Sequence, residues 1–446
     1  MYENKKIYIL GMAKSGYEVA KLLINKNNEI LLTDIKLKDI DHVNELRSLG
    51  VTVNETDKQE DFLDSSFDYV VKNPGIKLDV PAVIKAKELN IPVINEVEVA
   101  YEYLKDNYII AVSGSNGKTT TTTLIYEILS QNFDNVLLGG NIGYPVASLV
   151  EKSDGKNIIV LEISSHQLTD MYNFKADIAI LTNLSEVHLD HFGSFDNYIK
   201  YKKKIFMNQT KEDISILNAG DNNVMDMYDK LESNRITFSS NVEADIYLKD
   251  DAIYYKHEKI IDTKDILLKG KHNYENVMCM IAVAKKFDID NEKIKKLLST
   301  FKGVSHRLEY VDKVNEVAYY NDSKATNTES TIVALKSFET PVILLLGGLD
   351  RGHSFEPLSP YMKYVKLIVS FGQTKDRIKE YGESINKNVL VADTLSEAFD
   401  LATKNANKGD TVLLSPACAS WDQFDKFETR GEEFVKLVND LKDHHN

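Results

Sequence analysis

A chain of 446 residues, at roughly 150 residues per domain, predicts about three domains with real hydrophobic cores. Apolar residues at 43% and charged residues at 27% are ordinary globular values and exclude a disordered or collagen-like chain, while 21 Gly and 8 Pro, about half the usual share, predict short domain junctions. The 68 acidic and 54 basic side chains leave a net charge of −14 and a pI near 5.3, so the surface repels polyanions and nucleic acid is not expected as a partner.

Cys279 and Cys418 lie far apart in the sequence and form neither a disulfide framework nor a metal-ligand spacing, which fits a reducing compartment. The apolar run Ile7 to Ala13 is broken by Lys14, and no stretch reaches about 18 apolar residues. A cytoplasmic protein that does not enter a membrane is expected, as a monomer.

Short β-rich runs alternate with amphipathic stretches from Met1 to about Asn95: Ile7 to Leu10, a helix from about Gly16, Ile30 to Thr33, then Tyr69 to Val71. This alternation predicts a parallel α/β sheet. The next stretch has Ile109 to Val112, Ile158 to Leu161 and Ile178 to Leu181, continuous apolar runs that predict strands buried on both faces. A third α/β unit, beginning near Gly303, is read from Val342 to Leu346, Leu367 to Ser370, Val389 to Val391 and Val412 to Leu414.

The strongest motif is Gly114-Ser-Asn-Gly-Lys-Thr-Thr120, between a predicted buried strand and a helix-compatible run from Thr121 to Leu129. Glycines there let backbone N–H groups curl around phosphate oxygens, Lys118 offsets the β/γ charge, and the Thr119 hydroxyl reaches Mg²⁺. The first Gly of the usual phosphate-loop pattern would fall at Val112 and is absent, so an incidental strand-to-helix turn stays open on pattern alone. Glu162 closes a strand, where open α/β sheets bind ligands, and reads as a metal ligand or as a capping or solvated carboxylate. His188 and His191, three apart, permit zinc, but with no third clear ligand His188 as a single Mg²⁺ or Mn²⁺ ligand is preferred. Lys200, Lys202, Lys203 and Lys204 read by default as a solvated helix face.

Gly11-Met-Ala-Lys-Ser-Gly16, with Asp34 ending the next strand, is a dinucleotide fingerprint without its middle Gly. A nicotinamide site, another nucleotide and a structural turn all remain open there. Three polar loops stand near the C-terminus: Asn321 to Thr326, Gly347 to Arg351 and Leu414 to Phe424. Beside an ATP-type site they suggest a second substrate carrying negative charge.

Together the strings Gly114 to Thr120, Leu161-Glu-Ile-Ser-Ser165, His188-Leu-Asp190, His272-Asn-Tyr-Glu-Asn276, His306-Arg307 and Asn321-Asp-Ser-Lys-Ala-Thr326 resemble the Mur ligases of peptidoglycan synthesis. Gly347 to Gly352 and Ser415 to Ser420 resemble the member that adds D-glutamate; the chirality rests on the resemblance alone. The family's short phosphate loop also accounts for the missing first Gly. The resemblance implies an α/β protein of three domains, each a largely parallel sheet with flanking helices: a Rossmann-like UDP-binding domain over 1–95, a P-loop ATPase domain over 96–302 and a Rossmann-like amino-acid-binding domain over 303–446. It implies an ATP-dependent ligase joining D-glutamate to UDP-N-acetylmuramoyl-L-alanine through an acyl phosphate, with two Mg²⁺ ions.

By the same resemblance, Lys14, Ser15, Asp34 and Gly75 cradle UDP, while Asn141 and Ser164 face the muramoyl group. Gly114, Ser115, Asn116, Gly117, Lys118, Thr119 and Thr120 hold ATP, and Asn273, Asn276, Arg307, Asp322 and Lys324 contact or align it. Thr119, Glu162, His188 and a carbamylated Lys202, four residues after Tyr198, would serve the metal; Lys203 is the competing assignment. Lys118, Glu162, His188 and Lys202 are the expected catalytic set. Thr326, Arg351, Ser420 and Phe427 would bind glutamate. The rivals are sibling amino-acid ligases, folylpolyglutamate synthetase and a nucleotide-responsive binding protein without catalysis.

Overall fold

The computed structural model describes residues 1–443; the last three residues of the expected C-terminal domain, and the Asp190 side chain of the string His188-Leu-Asp190, lie outside the described residues. Within these, the strands form three sheets. The first is β1 (Lys6–Leu10), β2 (Glu29–Asp34), β3 (Thr52–Glu55), β4 (Tyr69–Lys72) and β5 (Val93–Ile94), all parallel in the order β3-β2-β1-β4-β5. The second has nine strands: β6 (Tyr108–Ser113), β7 (Val136–Gly140), β8 (Ile158–Glu162), β9 (Ile178–Leu181), β10 (Ile214–Asn218), β11 (Asn234–Ser239), β12 (Ile246–Lys249), β13 (Ala252–Tyr255) and β14 (Glu258–Asp262). Their order is β14-β13-β12-β11-β10-β9-β6-β8-β7. The third, β15 (Glu309–Val314), β16 (Val317–Asn321), β17 (Val342–Gly347), β18 (Val365–Phe371), β19 (Val389–Val391) and β20 (Thr411–Leu414), runs β15-β16-β20-β17-β18-β19, parallel except for the β15/β16 pair.

The apolar runs are the central strands. β8, β9 and β17 are buried along their whole length, as strands covered by helices on both faces must be. Helix Ala13–Ile24 begins earlier than Gly16, and helix Lys118–Ser130 begins on Lys118, three residues before the expected Thr121. Gly117 explains the second shift: its left-handed conformation, φ 80°, lets the chain turn directly from loop into helix. Strands without a continuous apolar signal were not anticipated: β3, β5, the glycine-ended β7, β10 to β14, and the β15/β16 hairpin.

The chain divides into two compact units, Met1–Ile260 with Glu275–Ile294, and Ile261–Tyr274 with the chain from Lys295 onward. In the first unit, the first and second sheets share one core, which includes Ile7, Leu32, Val97, Ile109 and Leu161. Helix Glu96–Leu104 lies between them in sequence and is capped by Asn95, whose side chain accepts from Glu98 N at 3.1 Å. The buried Glu98 carboxylate accepts from the backbone N–H groups of Tyr172, Asn173 and Phe174, which anchors the helix to the central sheet's connections.

Glu96, in the first turn of that helix, is also buried and accepts from Ala147 N. Burial pushes its carboxyl up to about 7. A carboxyl whose folded pKa is raised stabilises the fold in its protonated form, so this contribution is complete below about pH 4.5 and is lost as the pH rises through about 7. Glu96→Gln, a permanently neutral isostere, is expected to gain stability relative to the native chain across that window, at up to about 1.4 kcal/mol per pH unit. Urea denaturation at pH 5, 6, 7 and 8 measures the difference; a pH-independent difference would show that Glu96 does not titrate there.

Candidate active site

In the first unit, two loops emerge at the C-terminal ends of central strands, each flanked by the ends of its neighbours. β1 pairs with β2 through Leu10 and Thr33 and with β4 through Leu10 and Lys72, so the Gly11 to Gly16 turn opens beside Asp34 and Asn73. Asp34 accepts from Met12 N at 2.7 Å and Lys36 N at 3.0 Å, and thus holds the turn to the next loop. Asn73 Nδ2 donates to Ser15 Oγ at 2.9 Å, while its Oδ1 accepts from Gly75 N at 3.1 Å. Lys14 is exposed. The predicted set Lys14, Ser15, Asp34 and Gly75 therefore surrounds one turn-lined sheet edge.

β6 lies between β9 and β8, with Val112 paired to Glu162 and Ser113 to Leu181. The phosphate loop is held on the β9 side: Ser115 N donates to Asn183 O at 2.9 Å, Asn116 N to Asn183 Oδ1 at 2.9 Å, and Thr182 Oγ1 to Asn116 O at 2.6 Å. A Cβ on Gly114 would stand 1.9 Å from Thr182 Oγ1, and one on Gly117 would stand 2.3 Å from Asn276 Oδ1. The same Asn276 oxygen accepts from Thr121 Oγ1 at 3.1 Å. The glycines are thus dictated by close packing around the loop, and Asn276 braces its helical end.

Lys118 Nζ donates to Gly114 O at 2.9 Å and to Ser115 O at 2.8 Å. Lys202, 1% exposed, donates to the same Gly114 O at 2.7 Å and to Ser113 Oγ at 3.0 Å. Burial pulls the Lys202 amine well below its usual range, the Lys118 charge adds to that shift, and Glu162 opposes it. Lys200 is exposed and Lys203 half-buried, so the cluster is not one solvated face. Glu162 is 2% exposed; its Oε1 accepts from Asn141 Nδ2 at 2.8 Å and its Oε2 has no partner. Ser164 caps the helix Ser165–Leu168 in a capping box with Gln167. His188, at φ 56°, caps the short helix Leu189–Phe192, and its ring lies 5.0 Å from that of His166.

In the second unit, β20 lies between β16 and β17, which brings Asp322, Gly347 and Ser415 to one sheet edge. Asp322 is buried and accepts from Leu308 N at 3.0 Å and Ser415 Oγ at 2.7 Å; burial pushes its carboxyl up to about 7. Arg307 follows His306, whose carbonyl accepts from Lys324 N, and Lys324 Nζ stands 5.5 Å from the Phe427 ring centroid. Thr326 is half-buried nearby in sequence. Arg351 is exposed, its guanidinium 4.7 Å from the centroid of the Trp421 ring. Ser420 is buried with its hydroxyl unpartnered. Asn273 Nδ2 donates to Lys269 O at 2.8 Å.

Arg430 was not anticipated. It is fully buried, donates from Nε to Ser323 Oγ at 2.9 Å and from Nη2 to Ser323 O at 2.8 Å, and leaves Nη1 unpartnered beside Gly348. The available signal was its place on helix Phe427–Asp443, where Arg430 shares the buried stripe with Phe434 and Val438 at i+4 and i+8. An orphan guanidinium nitrogen and an orphan hydroxyl on Ser420 are donors suited to an anionic ligand.

The phosphate loop suits a nucleotide phosphate: its backbone N–H groups lead into the start of helix Lys118–Ser130, and the Lys118 ammonium lies on the loop at Gly114 O and Ser115 O. Among the described residues no set of three His, Cys, Asp or Glu side chains is arranged to hold a metal ion, which leaves the zinc reading of His188 and His191 without support. Mg²⁺ retains several waters and needs only one or two carboxylates beside the phosphates. The orphaned Glu162 Oε2 is a donor of that kind.

Comparison with known proteins identifies the family. Residues 112–284 match the Mur ligase middle domain, and residues 306–418 match the Mur ligase glutamate ligase domain. The chain is 41% identical over 444 residues to a UDP-N-acetylmuramoylalanine–D-glutamate ligase of Bacillus mycoides, covering 99% of this chain and 98% of the relative. It is 41% identical over 446 residues to a protein of the same name from a Geobacillus species, covering 99% of both chains. Among solved structures, the fold matches the UDP-N-acetylmuramate–alanine ligase MurC of Thermotoga maritima, with a TM-score of 0.58 at 19% identity, over 98% of this chain and all of that one. It also matches MurF ligase of the same organism in complex with ADP, with a TM-score of 0.58 at 16% identity, over 95% and 98% of the two chains. With both family domains matched and full-length relatives at 41% identity, the chain belongs to the Mur ligase family.

Proposed function

We propose that this chain joins D-glutamate to UDP-N-acetylmuramoyl-L-alanine at the expense of ATP, yielding ADP and phosphate. The observation that carries the reading is the 41% identity, over essentially the whole chain, to relatives named for that reaction. The chemistry follows from what a carboxylate lacks: it is a poor electrophile until one oxygen becomes a leaving group. An oxygen of the alanine carboxylate attacks the γ-phosphorus, the bond to ADP breaks, and an acyl phosphate results. The glutamate nitrogen then attacks the acyl carbon, the amine loses a proton, and inorganic phosphate departs. The first step is served by positioning and by neutralising charge on the transferred group.

In this reading the three sheets take UDP, ATP and amino acid in chain order, over 1–95, 96–302 and 303–446. Lys14, Ser15, Asp34 and Gly75 serve UDP; Asn141 and Ser164 orient the muramoyl end. Backbone N–H groups of Gly114 to Thr120 cup the phosphates, with Lys118 at the β/γ position. Thr119, Glu162 and His188 would hold Mg²⁺, which supplies Lewis-acid stabilisation of the phosphoryl oxygens. Asn276 acts by bracing Gly117; Asn273, Arg307, Asp322 and Lys324 align the nucleotide. Thr326, Arg351, Ser420 and Phe427 take glutamate, with Arg430 behind Gly348.

The low amine pKa of Lys202 supports its carbamylation, because CO₂ reacts only with the neutral amine. The product replaces a second cation at Gly114 O by a carboxylate-like oxygen donor, the type Mg²⁺ prefers. The burial of Lys202, against the half-buried Lys203, favours the former as the modified residue.

The direct test supplies UDP-N-acetylmuramoyl-L-alanine, ATP and a panel of amino acids, with phosphate release and product mass as readouts. ADP and phosphate are expected, only when D-glutamate and the nucleotide sugar are both present; AMP with pyrophosphate would overturn the scheme. Arg351→Ala is expected to raise KM for glutamate about tenfold or more, corresponding to the roughly 1.5–3 kcal/mol of a charge-assisted bond, with KM for ATP little changed. An unchanged glutamate KM removes Arg351 from the pocket. Lys202→Ala is expected to reduce kcat by orders of magnitude with an unaltered thermal midpoint, and acetate or formate is expected to restore part of it. Full activity in Lys202→Ala would exclude a carbamate role at this position.

A further inference from the structure

Among the described residues two lysines are buried almost completely, Lys202 and Lys72. Lys72 ends β4, at the root of the turn that carries Gly75. Its ammonium meets Asp170 Oδ2 at 3.1 Å, with side-chain exposures of 0% and 6%, and donates to Ile76 O at 2.8 Å and Asn73 O at 3.3 Å. An ammonium has three protons, and here each has an acceptor. Asp170 also accepts from Thr169 Oγ1 at 2.7 Å.

The two ends of this pair belong to different sheets. On one side, Asn73 and Ile76 close the turn through Ile76 N to Asn73 O at 3.0 Å, and Asn73 reaches Ser15. On the other side, Asp170 follows the helix Ser165–Leu168, whose cap is Ser164. The pair is therefore a link between the Gly11/Gly75 edge of the first sheet and the segment that leaves Glu162 in the second. Such a pair is a poor device for stability alone, because well-packed apolar residues of similar volume serve as well or better. Its distinctive property is geometric: three directed bonds fix the turn's carbonyls relative to Asp170.

We propose that Lys72 is a positioning residue that, through Asp170, holds the Asn73 to Ile76 turn in register with the Ser164 segment, so that the UDP end and the muramoyl end of one substrate are bound at a fixed separation. This rests on the reading given above for Gly75 and Ser164. A nucleotide sugar long enough to contact both sheet edges gains from a fixed spacing; the residues read above as serving ATP and glutamate do not include Lys72 or Asp170.

The test compares the native chain with Lys72→Met and with the double variant Lys72→Met/Asp170→Leu, which replaces the ion pair by an apolar one and guards against failure of the single variant to fold. Both are expected to raise KM for UDP-N-acetylmuramoyl-L-alanine at least tenfold, with KM for ATP and glutamate within twofold of the native values, even where the double variant matches native stability in urea. A double variant of native stability with an unchanged KM for the nucleotide sugar overturns the proposal, as does an equal rise in all three KM values. Calorimetric titration with UDP separates this from failure of the underlying reading. If the native chain releases no phosphate with the three substrates, the ligase reading falls, and weaker UDP binding by the double variant still supports Lys72 as the anchor of the turn. Equal UDP affinity in that case overturns it.

Discussion

Two lysine side chains converge on one carbonyl oxygen, that of Gly114, at 2.9 Å from Lys118 and 2.7 Å from Lys202. Like charges that share an acceptor in a buried setting repel far more strongly than on the surface. That repulsion is eased by an anion at the loop or by a change of charge on one amine. The nearby carboxylate, Glu162, with one oxygen bonded to Asn141 and the other without a partner, supplies one negative charge against the two amines, and the excess positive charge suits a phosphate at the loop. The glycines, the β9 anchors and the Asn276 brace all serve to present the loop to that charge.

The three sheets solve the placement problem in the same way. In each, one central strand ends between the ends of two neighbours, and the polar loops that follow meet at the C-terminal edge: Gly11 between Asp34 and Asn73, Gly114 between Glu162 and Thr182, Ser415 between Asp322 and Gly347. This is where a parallel sheet has unfilled space and converging backbone groups. Three such edges in one chain suit the three-substrate reaction proposed above.

Legibility followed the strength of the local signal. Strands buried on both faces were visible as unbroken apolar runs, and the phosphate loop was visible as glycines flanking a lysine. The strands β12 (Ile-Tyr-Leu-Lys), β13 (Ala-Ile-Tyr-Tyr) and β14 (Glu-Lys-Ile-Ile-Asp) are four or five residues long and show no regular polar–apolar period, and β5 is two residues long. Buried charges were the harder case. Arg430, Lys72 and Lys202 have the composition of surface positions, and only their phase on an apolar stripe or at a strand end distinguishes them. For Lys202 the clue is Tyr198 one helical turn earlier, buried on the same face of helix Phe195–Lys203. The grouping of residues 261–274 with the C-terminal unit has no compositional marker, since it is decided by contacts between residues far apart in sequence.

Lys72 and Lys202 are equally buried and both amines are lowered, but the nearest charges act on them with opposite sign. Burial lowers the pKa of both amines. For Lys72 the next largest influence is Asp170, which favours the charged form and, with two carbonyls, uses all three protons; such an ammonium is fixed and unreactive. For Lys202 the next largest influence is Lys118, a like charge, and its acceptors are a neutral hydroxyl and a carbonyl already shared. Both influences disfavour its charged form, and a neutral amine is a nucleophile. The same residue type at the same depth therefore suits a bracket in one place and, on the carbamate reading proposed above, a reactive group in the other, and the sign of the nearest charge separates the two.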